Sequence, residues 1–140
     1  MKESYIRLYN NVGGGMKFLN PSSGVKPVGH YSTAVLLPNG FLFLSGQISI
    51  DNEGTIVGGT IREQTKIILS NIKNVLNELS YDVTDIFKVV VYIRDISKFG
   101  EFNEVYKEFF GEHKPVRTTV EVSNLPKGAL IEIEVSAFKG

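Results

Sequence analysis

Thr60-Ile61-Arg62-Glu63-Gln64-Thr65-Lys66-Ile67-Ile68-Leu69-Ser70-Asn71-Ile72-Lys73-Asn74-Val75-Leu76-Asn77-Glu78-Leu79 is the stretch on which the reading of the fold turns. Thr60 stands at an N-cap with Glu63 three residues on, the two halves of a capping box. Apolar side chains at Ile61, Ile68, Leu69, Ile72, Val75, Leu76 and Leu79 recur at helical spacing. Arg62, Lys66, Lys73, Asn74 and Asn77 occupy the other side. The pattern predicts one amphipathic helix of about five turns, laid on a sheet.

Upstream, Ser32–Leu37 and Phe41–Leu44 read as strands joined through Pro38-Asn39-Gly40, a hairpin signal. Asp51-Asn52-Glu53-Gly54 marks a further turn. Downstream, Asp85–Ile93 with Val89-Val90-Val91 reads as a buried strand. A second, shorter helix begins near Ser97, carries Phe99, Phe102, Val105, Tyr106, Phe109 and Phe110 inward, and ends at Gly111. Lys114–Val122 and Leu130–Val135 complete the order β-β-α-β-α-β-β. An α+β architecture follows, a mixed sheet with two helices packed on one face. The other face, which also carries Val, Ile and Phe, would be left bare, and oligomerisation is the natural cover.

Length and composition narrow the function. The 140 residues make one domain, with 42% hydrophobic and 21% charged residues. Fifteen basic and fifteen acidic side chains cancel, which counts against non-specific nucleic-acid binding. The lack of cysteine excludes disulfides, thiolate metal sites and cysteine nucleophiles. No apolar run reaches the roughly 20 residues of a membrane span, and a cytoplasmic location is expected. Polar residues 1–11, followed by Gly13-Gly14-Gly15 and Met16, read as an extension over 1–15, non-native or bypassed by an alternative start. It precedes a single domain over 16–140.

Arg117 heads a strand directly behind Lys114-Pro115-Val116. Burying its permanent charge is costly without a partner. One reading is a structural salt bridge to Glu121, Glu132 or Glu134; the other is a bidentate clamp for a substrate carboxylate. Arg117, Thr119 and Glu121 share one side of their strand, and Glu132 with Glu134 share one side of theirs. On rigid neighbouring strands, a cation and a carboxylate could hold a small anion and move a proton beside it. Periodicity does not choose between Glu132 and Glu134. Tyr31 could pack as an edge aromatic or donate to a ligand. His30 and His113 have no metal-site spacing, and Gly58-Gly59 lacks a phosphate-loop form.

Gly29-x-Tyr31-Ser32, Phe43-Leu44-Ser45-Gly46-Gln47, Glu63-Gln64, Asn103-Glu104-Val105-Tyr106 with Phe109-Phe110, Pro115-Val116-Arg117, Val120-Glu121-Val122 with Leu125-Pro126-Lys127, and Ile131-Glu132-Ile133-Glu134 stand in one ordered set. That set, from about residue 17 to the C-terminus, resembles the Rid family, also called YjgF or L-PSP, and within it the RidA-type imine deaminases. The resemblance implies a chorismate-mutase-like α+β sandwich assembled as a homotrimer with ligand sites between subunits. It implies hydrolysis of 2-imino acids such as 2-iminobutanoate and 2-iminopropanoate to 2-oxo acids and ammonia, with no metal and no cofactor. Carried over by position, Arg117 would hold the substrate carboxylate and Glu132 the water, with Tyr31 as a site tyrosine. Ser45 and Gly46 would line the pocket, and Asn103 would stand near the cleft. Glu121 and Glu134 then fall to structural or solvent-facing roles. Relatives often have proline where His30 stands, serine at Thr118 and cysteine at Thr119; Thr119 keeps a backbone N–H available to a carboxylate. An endoribonuclease or translation inhibitor, and a non-catalytic carboxylate-binding or chaperone-like trimer, are the competing functions.

Overall fold

The computed structural model describes the backbone of residues 6–8 and all of residues 15–140. Among the described residues seven strands form one sheet: β1 (Ile6–Leu8), β2 (Lys17–Leu19), β3 (Ala34–Leu36), β4 (Phe41–Leu44), β5 (Ile86–Ile93), β6 (Val116–Glu121) and β7 (Ile131–Phe138). Two helices, α1 (Ile61–Glu78) and α2 (Phe99–Phe110), lie on one side of it. The spatial order is β1-β2-β3-β4-β7-β5-β6, and every pairing is antiparallel except β5 with β6. This is the α+β mixed sheet with two helices that the sequence predicts. None of the described helices is long and apolar enough to cross a membrane.

The capping box forms as read. The Glu63 backbone N–H donates to Thr60 Oγ1 at 3.1 Å, and Glu63 Oε1 accepts from the Thr60 backbone N–H at 3.2 Å. Ile68, Leu69, Ile72, Val75 and Leu76 of α1 are fully buried against Leu42, Val89, Val91, Ile133 and Val135 of the sheet. Gly111 closes α2 with φ +60, a conformation that carries a penalty for any residue with a Cβ. A short 3-10 turn, Ile96–Lys98, precedes α2, with Asp95 Oδ1 capping it by accepting from the Ser97 N–H at 3.0 Å.

Two strands escaped the sequence reading. β2 has three residues, too few to show alternation, and pairs with β3 through Phe18↔Val35. β1 lies within the expected N-terminal extension and pairs with β2. Apart from Gly15, the remainder of that extension lies outside the described residues.

A further expectation is corrected. The strands bearing Arg117 and Glu132 are not neighbours, because β5 runs between β6 and β7. Val89 pairs with both Arg117 and Val135, so Arg117 points to the helix-covered side. Tyr92 pairs with Glu132, which places that carboxylate on the uncovered side. Cross-strand partners share a face, so the two groups project from opposite faces of one sheet. Sequence adjacency of two strands does not make them spatial neighbours once a parallel crossover is present.

The uncovered face is apolar at both ends, as expected. Phe41 contacts Phe138 at 4.7 Å between ring centroids and Phe87 at 6.0 Å. Phe43, Phe138, Val116 and Val120 are exposed there, Val116 to 66%.

Candidate functional site

Two clusters of predicted site residues exist, one on each face of the sheet. The first surrounds Arg117. Its Nη1 donates to Asn103 Oδ1 at 2.8 Å, which ties β6 to the middle of α2. Its guanidinium carbon lies 4.6 Å from the Tyr106 ring centroid, 5.3 Å from Phe99 and 5.6 Å from Phe102. Each distance falls within the cation–π range of about 6 Å. Phe99, Phe102 and Tyr106 recur at helical spacing, so one face of α2 presents all three rings, with Asn103 beside them. From sequence these rings are expected only on the inner, core-facing side of the helix; their helical periodicity is the signal that they can also share a single neighbour.

No carboxylate among the described residues lies within 4.0 Å of Arg117. The salt-bridge reading therefore fails for Glu121, Glu132 and Glu134 alike. Glu121 instead accepts from the Ile96 backbone N–H at 2.9 Å and anchors the turn before α2. An aromatic surround orients a guanidinium without neutralising it, so the remaining N–H donors stay available to an anion. Thr119 follows on the same side of β6, its hydroxyl buried without a hydrogen-bond partner. Burial raises the Tyr106 phenol pKa above its ordinary value, against the opposing pull of the Arg117 charge.

The second cluster is built around Glu132. From Phe43↔Ser136 to Gln47↔Ile133, four steps on one side match three on the other. This one-residue excess is a β-bulge, which re-aims the backbone. It brings Gly46 against Glu132: a Cβ on Gly46 would stand 2.8 Å from the Glu132 carboxyl carbon. A side chain there would push the Glu132 carboxylate out of its place. Ser45 Oγ donates to the Ser32 carbonyl at 2.6 Å, and Gln47 Nε2 to the Ser45 carbonyl at 2.9 Å, fixing both flanks of the bulge. Tyr31 joins Gly46, Gln47 and Lys26 around a cleft of about 20 Å³. Its ring is 46% exposed, and its hydroxyl accepts from the Val28 N–H at 3.4 Å, so it is presented outward.

Burial raises the Glu132 pKa above the ordinary carboxylate value, and the Glu134 charge adds to the rise. No donor among the described residues bonds its carboxylate. A half-buried carboxylate with raised proton affinity and free lone pairs can orient a water and take its proton.

The predicted residues thus fall into two half-sites: Arg117, Asn103 and Thr119 on one face, and Glu132, Tyr31, Ser45 and Gly46 on the other. His30 is exposed, whereas the His113 ring nitrogen Nε2 lies 2.7 Å from the Ile86 carbonyl and pins the loop after α2 to the start of β5. Among the described residues no three His, Cys, Asp or Glu side chains group as metal ligands would.

Comparison with known proteins bears on the family and the fold. The family described as "Endoribonuclease L-PSP" matches residues 22–139. A RutC family protein of Pyrococcus abyssi is 52% identical over 115 residues, 81% of this chain and 90% of that protein. A rat 2-iminobutanoate/2-iminopropanoate deaminase is 38% identical over 125 residues, 89% and 90% of the two chains. The crystal structure of YyfA, a Rid-family protein of Yersinia pestis, superposes with a TM-score of 0.83 at 37% identity, covering 89% of this chain and 99% of that one. With the ordered motifs, the sheet order and these likenesses in agreement, this chain belongs to the Rid (YjgF, L-PSP) family.

Proposed function

We propose that this protein hydrolyses small 2-imino acids, such as 2-iminobutanoate and 2-iminopropanoate, to 2-oxo acids and ammonia. The observation that carries the proposal is Arg117, a guanidinium held by Asn103 and three aromatic rings with no carboxylate partner among the described residues. The likeness to the rat deaminase supplies the reaction class.

In this reading the substrate carboxylate binds Arg117 through paired charge-assisted hydrogen bonds, with the Thr119 backbone beside it. The imine carbon is already electrophilic, so water placement and proton handling are what remain. Glu132 orients a water and accepts its proton as the C–O bond forms. Glu132 passes that proton to the imine nitrogen, giving a carbinolamine; it then takes the carbinolamine O–H proton and delivers it to the amine as the C–N bond breaks, so that ammonia leaves and the C=O forms. Proton transfer of this kind contributes about 10²–10⁴-fold. Tyr31, Ser45 and Gly46 shape the wall on the Glu132 side.

Because the half-sites lie on opposite faces, a complete site requires a second copy, with Arg117 of one chain facing Glu132 of the next. The bare apolar face, with Phe43, Phe138, Val116 and Val120, supports assembly through that face into a homotrimer.

Coupling the protein to a threonine or serine dehydratase and following loss of the imine tests the activity. Arg117→Ala should abolish hydrolysis with the oligomer intact; full retained activity refutes the assignment. The family description supports a second reading, an endoribonuclease. RNA cleavage by rigorously purified protein, weakened by salt and indifferent to Glu132→Gln, would favour that reading over imine hydrolysis.

A further inference from the structure

Glu132 is not alone on its face. Glu134 stands two residues along β7, on the same side, and Tyr92 of β5 reaches across to it. Tyr92 Oη donates to Glu134 Oε1 at 3.3 Å, although Tyr92 is in register with Glu132 and not with Glu134. The diagonal hydrogen bond ties down one carboxylate of the pair, while the other receives no donor among the described residues.

We propose that Glu134, tethered by the Tyr92 hydroxyl, is a positioning residue of the reaction: its fixed negative charge makes Glu132 the proton-carrying member of the pair. The inference rests on Glu132 being the water-activating base.

Two like charges this close on one strand face resist ionising together, and the better-solvated or better-bonded member ionises first. The Tyr92 hydroxyl, donating to Oε1, fixes where the Glu134 carboxylate stands on the face it shares with Glu132. Burial and the two carboxylates push the Tyr92 phenol above its ordinary value of 10.0, so it stays a donor through the neutral range. Glu132 is pressed against Gly46 and receives no hydrogen bond from the described residues. Its raised proton affinity, from burial first and Glu134 second, agrees with this division of labour.

Other charges near the pair are few: Lys26 lines the cleft with Gly46 and Tyr31. On this face β5 contributes Lys88 four residues before Tyr92 and, just past its end, Arg94. β6 offers Val116, Thr118 and Val120, and the bulge of residues 45–47 offers no ionisable group. Glu134 is therefore the only carboxylate on the described part of this face that can hold the Glu132 proton in place.

The test is the titration of the Glu132 carboxyl, followed by carbon NMR on the assembled protein without substrate, beside the pH profile of kcat/KM. Glu134→Gln should move both the titration and the acid limb of the profile to lower pH and lower the alkaline plateau severalfold. Tyr92→Phe should move both in the same direction by less. Both variants keep shape, so unfolding midpoints should stay close to the parent. A merely structural role for Glu134 or Tyr92 would move the midpoints and leave the titration in place. A Glu132 titration unchanged or raised in Glu134→Gln overturns the proposal. If the parent protein fails to hydrolyse imines while the titration shifts as stated, the carboxylate pair stands and the reaction assignment falls.

Discussion

Gly46→Ala separates the chemistry of the site from the stability of the fold. A methyl at this position would stand 2.8 Å from the Glu132 carboxyl carbon and 3.1 Å from its Cγ, where ordinary contact begins at 3.4 Å. The backbone of Gly46 is not in the left-handed region, so the substitution adds no backbone strain there. What must yield is the end of a flexible side chain, whose nearest atom, Oε2, has to retreat by about 1 Å or change rotamer, at a cost of about 0.5–1.5 kcal/mol. Thermal unfolding should therefore shift only slightly. Catalysis should suffer more, because misplacing a reacting group by about 1 Å can cost about 100-fold. A loss of about 10- to 100-fold in kcat, about 1.4–2.7 kcal/mol in the barrier, follows for a displacement of this size. The loss should sit in kcat and leave KM for the imino acid near the parent value, since the carboxylate clamp lies on the other half-site. Steady-state imine hydrolysis and a melting curve on one preparation decide it. Parental kcat in a normally folded Gly46→Ala protein would refute the claim that Glu132 works from its place against the bulge.

Two other outcomes are expected. Asn103→Ala removes the Asn103 hydrogen bond that helps orient Arg117, so KM for an imino acid should rise by about tenfold, with a smaller change in kcat. An equal fall in kcat at unchanged KM would place Asn103 in the chemical step instead. The raised Glu132 pKa has a consequence for stability. The native chain holds a proton that the unfolded chain releases near the ordinary value of 4.5, so this group's contribution declines as pH rises from there through the native value. Glu132→Gln should thus melt higher than the parent above that window and similarly below it; thermal melts across acidic and neutral pH would show the crossing or its absence.

Much of the fold was legible because its signals are local. The α1 cap rests on Thr60 and Glu63, three residues apart, and the burial of Ile68, Leu69, Ile72, Val75 and Leu76 follows from helical period. The hairpin at Pro38-Asn39-Gly40 and the stop at Gly111 rest on single residues whose backbone freedom the turn needs. The strands β1 and β2 were invisible because three residues carry no usable alternation, and their pairing is decided by distant partners. The candidate site was legible only as a set of residue types in family order: Arg117, Glu132, Tyr31, Ser45, Gly46, Asn103 and Thr119. The partners that tune those residues were not: the aromatic cage on α2 was read only as core, and Glu134 as a bystander.

By itself the sequence determined the helices, the caps, most strands and the identity of the charged residues, because each depends on neighbours within a turn or a pleat. Which face each strand residue uses relative to another strand is different. It depends on the order of strands in the sheet, and the insertion of β5 between β6 and β7 puts Arg117 and Glu132 on opposite sides. Strand order is chosen by the burial of the whole apolar face beneath two helices, a sum over residues far apart in the chain. Only the tertiary structure could turn one apparent site into two half-sites, and set Tyr92 on Glu134 and Gly46 on Glu132.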